Sequence, residues 1–186
     1  MLKRENAEKM EKFIEDFYRD LSRVNMEKWN YEDGCILTAA IQLYEATGKE
    51  RFRDFILEYM DSYVTKEGEI LHYKREDFNL DNIAPGRAVI FAYEHTGEER
   101  YRKAMELLLS QLAEQPRIQA GNFWHKKIYP NQVWLDGLFM AQPFYTAYDT
   151  KFGGKVRYVD ITDQFELVHK KMFNPQKKLY YHGYDE

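Results

Sequence analysis

A chain of 186 residues, 44% hydrophobic and 31% charged, has enough apolar mass for one domain with a sizeable core. A formal net charge of -4 and a pI near 5.8 leave out the basic footprint of a nucleic-acid binder or of a protein held on anionic lipid. Cys35 is the only cysteine, so neither an intrachain disulfide nor a thiolate metal cluster can form, and a reduced, cytoplasmic setting is the expectation.

The chain opens on MLKRENAEKMEKF, which lacks the apolar centre of a secretory signal, and no apolar run approaches the ~20 residues of a membrane span. Phe13, Ile14, Phe17 and Leu21 share one face of a helix expected over residues 7–24. Ile36, Leu37, Ala40, Leu43 and Tyr44 mark a second helix, which Gly48 should end in the left-handed conformation of a C-cap. Phe52, Phe55, Ile56, Tyr59, Met60 and Tyr63 trace the stripe of an amphipathic third. The segment EILHYKR, residues 69–75, suits a short strand. A fourth helix is expected over 84–93 with its stop at Gly97, and a fifth through Tyr101, Ala104, Leu107 and Leu108. A sixth, over 133–148, should be kinked at Pro143, and a seventh is expected over roughly 156–173. The segment KKLYYHG, residues 177–183, suits a second short strand.

Residues 44–53, YEATGKERFR, recur in register as YEHTGEERYR at 93–102, an offset of 49, and a degraded copy begins at Tyr148. Each copy reads as helix, glycine stop, helix. The first helix of each pair is poorer in charge than the second and so belongs inside. Helical hairpins with one buried and one exposed member stack into a solenoid or close into an α/α toroid. The predicted fold is therefore all-α, an α/α toroid in a single domain over residues 1–186.

The three inner helices begin EDGCIL, LDNIAPG and WLDGLF, so Asp33, Asp81 and Asp136 stand 11 or 12 residues before the repeat tyrosines. Parallel inner helices would bring the three acids to one mouth of the toroid. An acid in a first helical turn is favoured by the helix dipole, and that reading suffices for Asp33. Asp136 differs. Trp134, Leu135, Leu138 and Phe139 can desolvate it, and Asp81 can stand as a like-charged neighbour; both influences favour a carboxyl that keeps its proton near neutrality. Trp124, His125, Tyr129 and Trp134 precede it as stacking and hydrogen-bonding groups suited to a sugar, although aromatic residues, 16% of the chain, also fill helical cores. The five histidines show no metal-ligand spacing, no glycine-rich phosphate loop appears, and Ser62, Ser110 and Cys35 lack the context of a nucleophile, Cys35 being expected in the core.

The segment GNFWHKKIYPNQVWLDGLFMAQPFY, residues 121–145, closely resembles the signature of the unsaturated rhamnogalacturonyl hydrolases, glycoside hydrolase family 105. NLDNI at 79–83, WNYEDG at 29–34 and the final LYYHGYDE resemble the same family, while the neighbouring unsaturated glucuronyl hydrolases match the central motif less well. The resemblance implies an (α/α)6 barrel, of which this chain's three hairpins supply about half, the N-terminal half. It implies an oligosaccharide substrate ending in an unsaturated galacturonyl unit linked to rhamnose, with no metal or cofactor. An acid protonates the vinyl ether at carbon 4, water adds at carbon 5, and the hemiketal opens to release the next sugar. Asp136 matches the general acid/base and Asp81 the second carboxylate. His125, Trp134, His182 and Tyr31 match substrate-pocket positions, and Trp124 joins them from its place in the aromatic loop. The exposed inner faces of half a barrel predict self-association. A sugar-binding or protein-interaction module without turnover is the alternative, and an epimerase-type toroid enzyme, which relies on histidine pairs, is a weaker one.

Overall fold

The computed structural model describes residues 4–19 and 27–186. Seven α-helices run through them: α1 Arg4–Phe17, α2 Tyr31–Thr47, α3 Glu50–Tyr63, α4 Gly86–Thr96, α5 Glu99–Glu114, α6 Leu135–Lys151 and α7 Tyr158–Met172. The first corresponds to the helix expected over residues 7–24, whose last positions, Leu21 and Val24 among them, lie outside the described residues.

The division into inner and outer helices follows from composition. In α4, Ala88, Val89, Ile90, Phe91 and Ala92 are buried in succession, which only a helix covered all round can achieve. It packs against both α2 and α6, while α3, α5 and α7 each cover the inner helix that precedes them. The outer helix α3 buries only Phe52, Phe55, Ile56, Tyr59, Met60 and Tyr63, a single stripe at helical spacing. One apolar core lies between the two sets, and a smaller one gathers Ile118, Val133, Val168 and Met172 beside α7.

The repeat has a physical meaning at each end of its motif. Gly48 and Gly97, at φ 65 and φ 70, donate their backbone N–H groups to the carbonyls of Tyr44 and Tyr93, each at 2.8 Å. A side chain would strain at these two positive-φ caps, so glycine is retained in both copies. Seven residues past the tyrosine, Arg51 and Arg100 reach back to an acid on the preceding outer helix, Glu15 of α1 and Asp61 of α3. Each guanidinium also lies over the next aromatic ring, Phe52 or Tyr101. The motif thus encodes the turn and the lateral contact between successive hairpins.

Four short strands, all in connections, complete the fold. β1 Gln132–Trp134 pairs antiparallel with β4 Gly183–Asp185, placing Trp134 opposite Gly183, and β2 Phe173–Asn174 pairs with β3 Leu179–Tyr180. The strand expected in 177–183 is present at Leu179–Tyr180, whereas that expected in 69–75 is reduced to one bridge between Val64 and Ile70.

Several boundaries differ from expectation. The helix expected from residue 133 begins at Leu135, because Val133 and Trp134 are extended and paired with β4. The helix expected from residue 84 begins at Gly86, behind Pro85, and Leu80–Ile83 forms a separate 3-10 turn. Proline has no N–H to lose and suits that start. The sixth helix continues through Pro143 to Lys151. Cys35, expected in the core, is exposed. It faces an open groove with Phe13, Phe17, Ile36, Ala39 and Leu43 on the α1/α2 edge, and not α4. The opposite edge, α6/α7, leaves Phe139 51% and Phe165 47% exposed, so both lateral ends of the hairpin array are apolar and open.

Candidate active site

Two glycines show how closely the inner helix starts adjoin. A Cβ on Gly34 would meet the carbonyl carbon and Cβ of Ala84 and the nitrogen of Pro85 at 3.0 Å, so the start of α2 lies against the start of α4. A Cβ on Gly137 would lie 3.3 Å from Leu80 Cδ1, so the start of α6 lies against the 3-10 turn. Asp33, Asp81 and Asp136 therefore sit along one end of the helical array. Asp33 is a core group: it is buried, its backbone N–H is capped by Asn30, and it accepts the Tyr59 hydroxyl at 2.8 Å. Burial, followed by the Asp33 charge, pushes the Tyr59 hydroxyl far above its ordinary range. That tyrosine stays a neutral donor.

Asp81 is buried on the 3-10 turn, which Asn79 opens by accepting the Asp81 N–H at 3.0 Å. Lys126 Nζ lies 2.7 Å from Asp81 Oδ2. His125 Nε2 lies 3.2 Å from Oδ1, but off the axis of a hydrogen bond, so both nitrogens of this buried ring lack a well-formed partner. Burial alone would raise the Asp81 carboxyl. The Lys126 ammonium and the imidazole of His125 set against the carboxylate outweigh it and hold the pKa below the ordinary value of 3.8. Asp81 is therefore ionised at neutral pH, with a compensating cation beside it.

Asp136 occupies the first turn of α6, half-buried, with Oδ1 lacking a hydrogen-bond partner and His182 Nε2 at 3.6 Å from it. The β1–β4 pairing explains the histidine's position, since Leu135 N–H donates to the His182 carbonyl at 2.7 Å where that strand meets the helix. Above the two acids runs an aromatic stack. Trp134 lies parallel to His125 at 4.3 Å and to Tyr129 at 5.2 Å, with His182 tilted at 5.6 Å. The Trp134 indole N–H donates to Gln132 Oε1, fixing its tilt. One helical position must stay small for this to form: a Cβ on Gly137 would stand 3.0 Å from His125 Nδ1. Gly137→Ala is expected to keep α6 helical, since alanine is the better helix former by about 1 kcal/mol. It should nonetheless displace the His125 ring at an overpacking cost of ~1–3 kcal/mol. The His125 ring signals in 1H–13C NMR, beside a melting curve, check this.

The structure brings together Asp81, His125, Trp134, Asp136 and His182. It does not bring Tyr31 or Trp124 into that group by any hydrogen bond or ring contact among the described residues. Tyr31 opens α2 exposed to solvent, and Trp124 packs on the smaller apolar cluster. The apolar jacket expected around Asp136 is likewise dispersed, with Leu135 and Leu138 against that smaller cluster and Phe139 facing out. Helical geometry turns Leu135 and Leu138 away from Asp136, while Phe139, three residues on, shares its side of the helix but stands open to solvent. Lys126 and Gly137 are the positions at this site that sequence reasoning passed over. Both lie inside the central motif, next to His125 and Asp136. Asp81, His125 and Asp136 each bring a ligand-type atom within 4.8 Å of the others, so they are the residues that could hold a cation. Lys126 already supplies a positive charge at that place.

Known proteins share the family and the fold. Residues 1–186 match the model of the family described as Glycosyl Hydrolase Family 88. A glycoside hydrolase of family 105 from C. acetobutylicum ATCC 824 superposes on 94% of this chain with a TM-score of 0.87 and 38% identity. Possible members of family 105 from Klebsiella pneumoniae subsp. pneumoniae MGH 78578 and Salmonella enterica subsp. enterica serovar Paratyphi A str. ATCC 9150 share the fold. Each is 22% identical with a TM-score of 0.75, over 84% and 87% of this chain. The chain spans 49%, 40% and 42% of these three proteins, about half of each. Matched over its whole length, the chain belongs to glycosyl hydrolase family 88 and is similar to the family 105 glycoside hydrolases.

Proposed function

We propose that this chain carries the acid centre of a hydrolase that removes the unsaturated uronic acid from pectin-derived, rhamnogalacturonan oligosaccharides. The observation that carries the reading is the pairing of Asp136, whose Oδ1 lacks a partner, with an ionised Asp81 beneath the Trp134 stack. Asp136 protonates carbon 4 of the 4,5-unsaturated uronate, and the carboxylate so formed takes a proton from the water that adds at carbon 5. The resulting hemiketal opens and releases rhamnose. The proton given and the proton taken balance at one residue, which explains why a single half-open carboxyl can serve both steps. Asp81, ionised, balances the Lys126 charge beside Asp136. His182, exposed at the rim, offers a ring nitrogen to a sugar hydroxyl or the uronate, Trp134 offers an apolar face, and the buried His125 backs that face from within the pocket. Tyr31 and Trp124 would line the outer pocket. The two open apolar edges support self-association, and the single cysteine suits the reduced, cytoplasmic setting of this reading.

A saturated galacturonyl–rhamnose disaccharide separates this route from direct attack at the anomeric carbon. The hydration route needs the double bond, so the saturated sugar should stay intact while the unsaturated one is cleaved. Cleavage of both at comparable rates would contradict the proposed chemistry. A binding module without turnover is the second reading, favoured by the exposure of α6 along the inner set, and it predicts saturable binding of the unsaturated sugar with no loss of its double bond.

A further inference from the structure

Asp81 and His125 stand on two loops, and both loops are held from behind by a buried chain of amides at the C-terminal end of α5, Gln111 on its last turn and Gln115 just past it. The Tyr73 hydroxyl donates to Gln111 Oε1 at 2.8 Å. Gln111 Nε2 donates to the Asn79 carbonyl at 3.1 Å and to Gln115 Oε1 at 3.0 Å. Gln115 Nε2 then spans the Phe78 carbonyl at 2.7 Å and the Trp124 carbonyl at 2.9 Å. Both glutamines are buried, 0% and 4% exposed, in a place where an apolar side chain would have served packing alone. The two carbonyls that Gln115 joins directly precede Asn79, which caps the Asp81 turn, and His125. Phe78 is held at φ 42, a left-handed conformation costly for a bulky side chain that persists only where its surroundings impose it. Beyond the amides, the loops are joined by Leu80 N–H to the His125 carbonyl at 3.0 Å, and by Lys127, whose N–H donates to the Asp77 carbonyl at 3.2 Å and whose Nζ donates to the Glu76 carbonyl at 3.4 Å, all further from the root than Gln115.

We propose that Gln115, seated by Gln111, is a positioning residue that fixes the approach of His125 to Asp81. Its two N–H groups set the separation of the loops at their common root. The aromatic stack then sets the His125 ring, and Lys126 sets the carboxylate. The effect on turnover rests on the hydrolase reading; the effect on the ring does not.

Gln115→Met keeps the length and volume of the side chain and removes both donors. Its His125 ring signals, observed by 1H–13C NMR and shifted in the wild type by the parallel Trp134 ring, should move. Those of His95 and His169, remote from these loops, should stay. With the unsaturated disaccharide, kcat should fall about 10-fold while KM changes little, because misplacing a group costs the transition state more than ground-state binding. Gln115→Asn, which keeps the donors but reaches less far, should lie between the two proteins in both readouts, and it decides the matter if Gln115→Met does not fold. Unmoved His125 signals in a folded variant would overturn the proposal. Wild-type protein without turnover would sink the hydrolase reading instead, and the ring signals would still decide the role of Gln115.

Discussion

Asp136→Asn is expected to lower turnover of an unsaturated galacturonyl–rhamnose disaccharide by at least ~100-fold and to leave the helical fold intact. The side chain is 36% exposed, so one side faces the solvent from which substrate arrives. Its Oδ1 makes no hydrogen bond that the amide would forfeit. Asparagine has the same shape and also accepts a place in the first turn of α6, so the local packing is preserved. What it cannot do is deliver a proton to carbon 4. A folded Asp136→Asn variant with wild-type rates would remove Asp136 from the mechanism, whatever the family. Circular dichroism beside the rate measurement separates loss of the acid from loss of the fold.

Asp81→Asn should have the next largest effect, a loss on the order of 10- to 100-fold, with a signature in the pH–rate profile. Removing the carboxylate leaves Lys126, 2.7 Å from it in the wild type, as an unbalanced cation close to Asp136. A cation favours the ionised form of a neighbouring acid, so the alkaline limb of the profile should move down. A limb that stays put would make Asp81 a structural or substrate contact only. Stability carries a second signature. The folded Asp81 pKa lies below its ordinary 3.8, so its contribution is fully present above that value and is lost as the pH falls through the folded one. Urea midpoints of wild type and variant should therefore differ near neutrality and converge in acid below the ordinary carboxyl range.

Much of the frame was legible in the sequence because it is repeated. The Tyr44 and Tyr93 carbonyls accept their glycine N–H groups in the same way, so recognising one copy as helix, stop, helix explained the other. The inner and outer roles followed from charge alone. Boundaries failed where a distant partner decided them: Val133 and Trp134 leave the helix because β4, some 50 residues on, pairs with them. The positions of Asp81 and Asp136 were found from their place before the repeat tyrosines. The contacts that give those acids their character were not. Lys126 could have gone to water, and only the fold turns it onto Asp81. Cys35 shows the converse, since an apolar run cannot tell an edge that meets a neighbour from one that meets solvent. The Gln111–Gln115 chain has no sequence signal beyond two glutamines at helical spacing, which surface helices also carry.

The central claim is that Asp136 is the acid of a double-bond hydration. The most direct test is to incubate the purified chain with the unsaturated galacturonyl–rhamnose disaccharide and follow the ultraviolet absorbance of its conjugated double bond. The account predicts a loss of absorbance matched by release of rhamnose, and no loss with Asp136→Asn. Absorbance that stays constant with folded wild-type protein, or that falls equally with the variant, would contradict it.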